Sequence, residues 1–319
     1  MRRFILSKNE RRDLIGLVNT LADSQSSWDP LNAVDRMAMA AELLPLRLRQ
    51  FLASARADES DVITISGLPL STDMSPTPAG WRIAADTGAG YWEEALLMLV
   101  ACGLADPFAW ADQQNGRILH DVCPTRGEEN SLTSASSAVN LSLHTEDVFH
   151  PCRADYVALL CLRNPDAVGT TIVRTSELDL PHRDLLVGNH FRFFPDDSHT
   201  DRGDAEAATR KAQVGSVLFG PEDLPYFRFD LDFIAPADTA DTQTRAAITD
   251  VQTHLEKAVE RVVLEPGDLV FLDNYQVVHG REPFQARFDG TDRWLKRVNL
   301  IRDVRRIFAH TGQRSRVIA

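Results

Sequence analysis

The sequence predicts a mainly β protein with a helical N-terminal extension. The first fifth of the chain places apolar residues at helical spacing. Beyond about residue 110, short runs rich in β-branched and aromatic residues follow one another, with turn residues between them and no regular alternation of strand and helix. Many short strands joined in this way favour an antiparallel sandwich or jelly roll over a parallel sheet.

The N-terminal part, residues 1–110, is predicted to be largely helical. Leucine and valine recur every three or four residues over 10–21, and a second helical stretch, 32–55, is interrupted by a proline. The run 61–70, DVITISGLPL, alternates as a strand does. An apolar helix over 91–102 is predicted to end at the glycine that follows it.

The C-terminal part, residues 111–310, is predicted to form the β core. Its one helical insert, near 239–260, carries an apolar stripe. Two polar segments, 129–140 and 196–213, are predicted to be mobile loops or lids. No linker divides the chain, which predicts one domain over 1–319. The predicted strands are 139–144, 155–162, 170–175, 215–220, 226–233, 261–274 and 293–303.

Charge and cysteine content exclude several classes of partner. The 319 residues carry 34 basic and 46 acidic side chains, a formal net charge of -12. Nucleic acids and anionic membranes both favour a positive surface, so neither is predicted as a partner. The four cysteines form no CxxC pair, which predicts free thiols and a cytoplasmic location. The start MRRFILSKNE is not typical of a secretory signal, and no apolar run reaches membrane-spanning length.

The stretch LSLHTEDVFHP contains two candidate metal ligands. His144 and Glu146 are two residues apart, so on a strand both side chains would point to one face. A histidine and a glutamate at this spacing also occur by chance, so a third ligand is required. The best candidate is His279, just past the apolar run Leu269 to Leu272. Two imidazoles and one carboxylate leave neighbouring positions free on an Fe(II) ion, as a co-substrate and O₂ require.

Two further pairs of charged residues have an even spacing, which would place both members of each pair on one face of a strand. Arg293 and Arg297 lie four apart on a predicted strand, hence on one face, where each guanidinium needs a carboxylate partner. A keto-diacid and an amino acid would supply such carboxylates, and the alternative is a solvated strand edge. Asp230 and Asp232 would face one cavity if their segment is a strand. The alternative for this pair is solvated carboxylates in a turn.

Three stretches together resemble a known family. They are LHTEDVFHPCRADYVALLCLRN, GDLVFLDNYQVVHGREPF and RFDGTDRWLKR, and the resemblance extends over about residues 115–303. They are similar to the clavaminate synthase-like Fe(II)/2-oxoglutarate oxygenases, a group with clavaminate synthase, asparagine oxygenase and hydroxylases of free arginine and lysine. The resemblance implies a double-stranded β-helix core of the cupin-like type. It also implies Fe(II) as cofactor, 2-oxoglutarate and O₂ as co-substrates, and a place in antibiotic biosynthesis.

The resemblance also implies roles for the residues around the metal. His144, Glu146 and His279 match the iron ligands of the family. Arg293 matches the arginine that binds the distal carboxylate of 2-oxoglutarate, and Thr171 matches a second co-substrate contact. Because the carboxylate ligand is retained, a halogenase, which needs that position for chloride, is disfavoured.

The same comparison implies residues for the substrate. Arg297 and Ser134 match residues that hold the α-carboxylate of an amino acid, and Gln113 is a candidate for its amino group. Asp230 and Asp232 match the carboxylates that bind the cationic end of arginine or lysine. A guanidinium suits a pair of carboxylates, whereas an ammonium needs only one. These residues favour a free basic amino acid, with arginine ahead of lysine.

The predicted reaction is hydroxylation of C3 or C4 of this amino acid, with release of succinate and CO₂. The same chemistry on asparagine, on a cyclic or β-lactam-type amino acid, or on one tethered to a carrier protein stays open. A metal-free jelly-roll binding protein and a zinc hydrolase are alternatives from other classes. His120 is interpreted as a structural residue and His150 as shaping the site, and His199 is given no role.

Overall fold

A computed structural model describes residues 1–22, 24–200 and 204–319. Its helices are α1 Lys8–Leu21, α2 Pro30–Ala41, α3 Leu46–Ala57, α4 Trp81–Thr87, α5 Tyr91–Cys102, α6 Arg183–Leu186, α7 Ala205–Lys211, α8 Thr242–Lys257 and α9 Arg305–Thr311. Its strands are β1 Arg2–Ile5, β2 Val62–Ser66, β3 Asp106–Trp110, β4 His120–Val122, β5 Leu141–His144, β6 Tyr156–Arg163, β7 Gly169–Arg174, β8 Phe191–Phe193, β9 Gln213–Gly215, β10 Leu218–Phe219, β11 Tyr226–Phe227, β12 Ile234–Pro236, β13 Glu260–Val263, β14 Leu269–Asp273, β15 Val277–Arg281, β16 Trp294–Ile301 and β17 Val317–Ile318.

The N-terminal helices confirm the predicted periodicity. Helix α1 starts earlier than predicted because Ser7 and Glu10 form a capping box, each side chain accepting a hydrogen bond from the other's backbone N–H. Pro45 stands between α2 and α3, where the prediction placed a break. Helix α5 is buried on nearly every side and ends at Gly103, as expected.

The larger sheet draws strands from both parts of the chain. Its order is β1-β2-β14-β6-β16-β3-β17, and β4 also pairs with β16. The N-terminal part is largely helical, as predicted, and adds β1, β2 and β3 to this sheet; of these strands only β2, within the predicted run 61–70, was expected. Residue Val62 in β2 pairs with Leu272 in β14, so N-terminal and C-terminal segments share one ladder of hydrogen bonds. The described protein is thus a mixed helix and sheet structure.

A second sheet, in the order β13-β7-β15-β5, packs against the larger one. Alternate residues of β6, among them Val157 and Leu159, point towards it. They meet Ile172 and Val277 of the second sheet in one apolar cluster. The opposite face of the larger sheet packs on α5 and the other N-terminal helices. This arrangement leaves polar residues of β15, β5 and β16 around a cavity between the sheets.

The segment predicted as one strand over 226–233 is mostly not a strand. Only Tyr226–Phe227 pairs as one, and a single 3-10 turn covers Leu231–Phe233. The turn forms because the carboxylate of Asp230 accepts a hydrogen bond from the backbone N–H of Asp232, an interaction that competes with strand pairing. The predicted run 261–274 is likewise two strands, β13 and β14, on either side of a turn.

Helix α8 is the predicted helical insert, and it is shorter than expected. Ile248, Val251 and Leu255 are buried as the predicted apolar stripe requires. Val259 lies within the predicted insert, near 239–260, but α8 ends at Lys257 and Val259 is 40% exposed. Val259 lies beyond the last turn of α8 and therefore does not belong to the apolar face of the helix.

The two polar segments differ from one another. Residues 129–140 contain turns and bends but no helix or strand, in agreement with a loop. The segment 196–213 contains α7, and its residues 201–203 lie outside the described part of the chain. Over the described ranges, none of the helices combines the length and the apolar character that crossing a membrane demands.

Candidate active site

Three potential metal ligands converge at the base of the cavity. His144 ends β5 and pairs across the sheet with His279 of β15, so the two imidazole rings lie with centroids 4.5 Å apart. One carboxylate oxygen of Glu146 lies 3.3 Å from Nε2 of His279 and 3.8 Å from Nε2 of His144. The ligand atoms of all three lie within 4.8 Å of one another.

Glu146 was predicted to lie on the same strand as His144, but it reaches this position from a turn. Strand β5 ends at His144, and the following residues are held by Asn274, whose side chain is buried. The amide oxygen of Asn274 accepts from the backbone N–H of Glu146 at 2.7 Å, and its nitrogen donates to the backbone oxygens of Glu146 and Ala154 at 3.1 and 2.9 Å. One buried amide therefore fixes the peptide that carries the carboxylate.

The donor set suits a divalent metal ion. Nδ1 of His144 donates to the backbone oxygen of Ser142 at 2.8 Å, which leaves Nε2 as the metal-binding atom. Burial raises the pKa of Glu146, but the charge of Arg297 and the hydrogen bonds of both histidines outweigh it and hold the pKa well below its usual range. Two imidazoles and an ionised carboxylate on one side of an ion are the set that suits Fe(II) with open positions.

Arg293 is a buried cation at the same cavity. Its side chain is 5% exposed, and among the described residues it forms no ion pair with a carboxylate. Its guanidinium donates to the hydroxyl of Thr170, at 3.5 Å. Burial lowers the pKa of Arg293 to about 10, so the guanidinium still carries its charge at neutral pH. A buried charge without a partner is costly and marks a place for an anion.

The structure places Thr170, and not the predicted Thr171, at the cavity. Thr170 pairs with Arg281 across β15, and both line the cavity. Thr171 pairs with Gly280 and is not among the lining residues. Consecutive strand residues point to opposite faces, so a shift of one position along β7 exchanges the two threonines.

Arg297 connects the metal ligands to the substrate side of the cavity. Its guanidinium donates to Glu146 at 3.1 Å, to Nδ1 of His120 at 2.9 Å and to the amide oxygen of Gln113 at 3.4 Å. Nε2 of His120 in turn donates to the backbone oxygen of Arg117, and burial holds the pKa of His120 well below its usual value. A neutral His120 can therefore accept the hydrogen bond from Arg297.

The polar segment 129–140, a Ser-rich loop, is held in place by an arginine that was not among the predicted site residues. Arg281 donates to the hydroxyl of Ser136 at 2.8 Å and to the backbone oxygens of Ser137 and Val139 at 3.2 and 3.1 Å. These bonds hold the loop in which Ser134 lines the cavity. Arg281 lies two residues after His279, so strand periodicity placed both on one face and could have identified it.

The acidic residues lie together although their segment is a turn. Asp230 forms a β-bridge with His144 and is 8% exposed, while Asp232 is exposed at the cavity wall. A third carboxylate, Asp196, joins them from the polar segment and was not predicted. Burial raises the pKa of Asp230 to about 7.

The cavity encloses about 890 Å³ of empty space, including its mouth. Nine of the ten predicted site residues line it, all except Thr171. The strand order separates two of its charged groups. Arg293 bonds Thr170 of β7, and Asp230 bridges to His144 of β5, while β15 with His279 lies between these two strands. Such a cavity can hold two small molecules with carboxylates on one of them and a cation on the other.

Comparison with known proteins identifies relatives along the whole chain. Residues 232–299 match the model of the family described as taurine catabolism dioxygenase TauD, TfdA family. Enduracididine beta-hydroxylase of Streptomyces hygroscopicus is 38% identical over 95% of this chain and 96% of its own length. L-ornithine/L-arginine 3-hydroxylase of Catenulispora acidiphila is 36% identical, over 92% of this chain and 93% of its own. Clavaminate synthase 2 of Streptomyces clavuligerus is 29% identical over 82% of both chains.

A solved structure of a related oxygenase is also similar to this chain over its full length. The non-heme iron oxygenase OrfP in complex with Fe, succinate and (3S)-hydroxy-L-Arg superposes with a TM-score of 0.88, at 34% identity and over 100% of both chains. The resemblance stated from the sequence motifs is confirmed. The chain belongs to the TauD/TfdA family of Fe(II)/2-oxoglutarate-dependent oxygenases, within the group that contains clavaminate synthase and the amino-acid hydroxylases.

Proposed function

We propose that this oxygenase hydroxylates a free basic amino acid, with a guanidino side chain ahead of an ammonium side chain, at C3 or C4. The observation that carries the proposal is the separation of charge in the cavity. Arg293 is buried, has no carboxylate partner among the described residues, and bonds Thr170 of β7. Asp230 bridges to His144 of β5, two strands away in the same sheet, and Asp196 and Asp232 line the same cavity. The names of the relatives, hydroxylases of enduracididine, ornithine and arginine, support the same class of substrate.

In this proposal His144, Glu146 and His279 hold Fe(II), which with 2-oxoglutarate and O₂ supplies the oxidation of an unactivated C–H bond. The overall reaction converts C–H to C–OH while 2-oxoglutarate loses CO₂ and becomes succinate. Arg293 and the hydroxyl of Thr170 bind the distal carboxylate of 2-oxoglutarate, which pairs the buried guanidinium. The protein supplies orientation and excludes water.

The amino-acid substrate is oriented at both ends. We assign its α-carboxylate to Arg297 and Ser134 and its amino group to Gln113, which all line the cavity. Its cationic end faces Asp230 and Asp232. Binding at both ends fixes which carbon lies nearest the metal, because a bound chain of fixed length has little freedom to slide.

We also propose the finer features of the fold and location. The pairing of the two sheets supports a double-stranded β-helix, or jelly roll, that forms one oxygenase domain over 1–319. The four cysteines, which are all described, carry free thiols, and this supports a cytoplasmic location.

Anaerobic reconstitution with Fe(II) and 2-oxoglutarate tests the function. O₂-dependent succinate release and product mass are measured over a panel of free amino acids that includes arginine, ornithine, lysine and asparagine. A product heavier by one oxygen atom with a basic amino acid is the expected result. Succinate release that no free amino acid stimulates would refute the substrate and favour a tethered one.

Replacing Asp230 by asparagine is expected to lower kcat/KM for arginine by about 10- to 100-fold, because a buried charge pair with the substrate is lost. Asp232→Asn is expected to have a smaller effect, since Asp232 is exposed and water screens its charge. Asp238→Asn, on an exposed residue outside the cavity, is the matched control. Turnover of asparagine, which has no cationic end, is measured in parallel, and an equal loss there would contradict the assignment.

Replacing Asn274 by alanine is expected to weaken Fe(II) binding by about 10- to 100-fold, because the peptide of Glu146 loses its support. The unpaired N–H should also cost about 1–3 kcal/mol of unfolding free energy. Anaerobic metal titration and thermal unfolding measure the two effects. Asn299→Ala is the control, since no described residue bonds the buried amide of Asn299. Unchanged metal affinity in Asn274→Ala would contradict the role.

A further inference from the structure

A buried histidine outside the predicted site connects the cavity wall to the turn that carries Glu146. His199 is 3% exposed. Its Nε2 donates to Asp147 at 2.8 Å, and its Nδ1 donates to Asp112 at 2.9 Å. Burial lowers the pKa of His199, but the two carboxylates outweigh it and raise the pKa to about 10, so both nitrogens carry protons.

The anchor on the metal side is rigid. Asp147 directly follows Glu146, has a φ of 53°, and is 5% exposed. Its second oxygen accepts from the indole nitrogen of Trp110 at 2.7 Å. The ring of His199 also meets the rings of Trp110 and Phe149 edge-on, with centroids 5.0 and 4.9 Å away. The imidazole is therefore fixed by hydrogen bonds and by packing.

The segment that His199 anchors forms part of the substrate cavity. Asp196 and Ser198 line that cavity immediately before His199 in the chain. The hydroxyl of Ser198 accepts from the amide of Gln113 at 2.9 Å, and the backbone N–H of His199 donates to the backbone oxygen of Asp196. A displacement of His199 would thus move a carboxylate, a hydroxyl and an amide of the cavity wall together.

We propose that His199 is a positioning residue that sets substrate affinity. Its bond to Asp147 holds residues 196–198 against the turn of the metal site, so that the wall facing the amino acid keeps its shape. The inference rests on the proposed function, because it assigns the amino acid to this cavity. It predicts that loss of the bond affects the amino acid and leaves 2-oxoglutarate binding intact, since Arg293 bonds Thr170 on β7, two strands away from β5 and the turn that follows it.

Two substitutions separate the hydrogen bonds of His199. In His199→Gln the amide nitrogen can take the place of Nε2 and keep the bond to Asp147. In His199→Asn it can take the place of Nδ1 and keep only the bond to Asp112. The control is His182→Asn, because His182 also pairs with an aspartate, Asp250, but is 52% exposed at the surface. All variants are tested as full-length enzyme.

Two readouts decide the proposal. We expect His199→Asn to raise the KM for the amino acid about tenfold or more, the loss typical of a buried charged hydrogen bond, while the KM for 2-oxoglutarate stays near that of the wild type. His199→Gln should recover most of this loss. Hydrogen exchange of the amides in 194–200 should be at least about tenfold faster in His199→Asn, without any substrate present.

The outcomes distinguish this inference from the proposed function. Equal increases of both KM values, or unchanged exchange in 194–200, would overturn the role of His199 and leave an ordinary core residue. If the wild-type enzyme oxidises no basic amino acid, the proposed function fails, whereas the exchange experiment still tests the anchor. His182→Asn should match the wild type in both readouts.

Discussion

His144→Ala is expected to abolish Fe(II) binding and to lower 2-oxoglutarate turnover by about a thousandfold or more. His144 provides one of three ligand atoms that lie within 4.8 Å of one another, and the two that remain cannot hold the ion at low concentration. Anaerobic titration with Fe(II), followed by O₂-dependent succinate release, measures both losses.

The fold should survive this change, because His144 is the last residue of an edge strand and no apolar core cluster contains it. His254→Ala, a change at a half-buried residue in the last turn of α8 and outside the cavity, is the control and should retain metal binding and turnover. A metal-free binding protein makes the opposite prediction, namely that His144→Ala still binds the amino acid and that Fe(II) has no effect on either protein. That result would exclude the oxygenase chemistry for this chain.

Arg293→Leu is expected to raise the KM for 2-oxoglutarate by about a hundredfold and to increase thermal stability in the absence of 2-oxoglutarate. Both effects have one cause: the guanidinium is buried without a described carboxylate partner, so it costs stability until an anion pairs with it. Wild-type enzyme should therefore gain thermal stability from added 2-oxoglutarate, and the variant should gain little.

Thermal unfolding with and without 2-oxoglutarate, together with the KM values of both substrates, tests this expectation. Arg305→Leu is the matched control because Arg305 is exposed and pairs with Asp303. A variant that is less stable than the wild type and still gains stability from 2-oxoglutarate would show that Arg293 supports the core and does not bind the co-substrate.

Periodicity in the sequence was sufficient to select most of the site. His144 and Glu146 were selected together by their spacing of two residues, although Glu146 lies on a turn in the structure, and His279 was selected because it follows an apolar strand. Arg293 and Arg297 were identified by an even spacing on one predicted strand, although β16 begins one residue after Arg293. Such spacings are a local property of the sequence, whereas Thr171, Ser134 and Gln113 were selected only through the resemblance to the family.

Several features depended on contacts that no local pattern records. The one-residue register of β7 decides that Thr170 and not Thr171 faces the cavity, and it is set by pairing with β15. Asp230 and Asp232 reach the cavity from a turn, because the carboxylate of Asp230 accepts a hydrogen bond from the backbone N–H of Asp232. The alternation of residue types in this segment had predicted a strand. His199 had no signal at all, since its two carboxylate partners lie 52 and 87 positions away.

The sequence by itself therefore determined the family, the three candidate ligands and the two arginines, because each depends on residue identity and on strand periodicity. The tertiary structure alone decided how these groups are held. Asn274 supports the peptide of Glu146, Arg281 fastens the Ser-rich loop and His199 anchors the cavity wall. Each of these side chains bonds backbone or carboxylate groups that only the folded chain brings near, so pairing energies, and not local preferences, fix their positions.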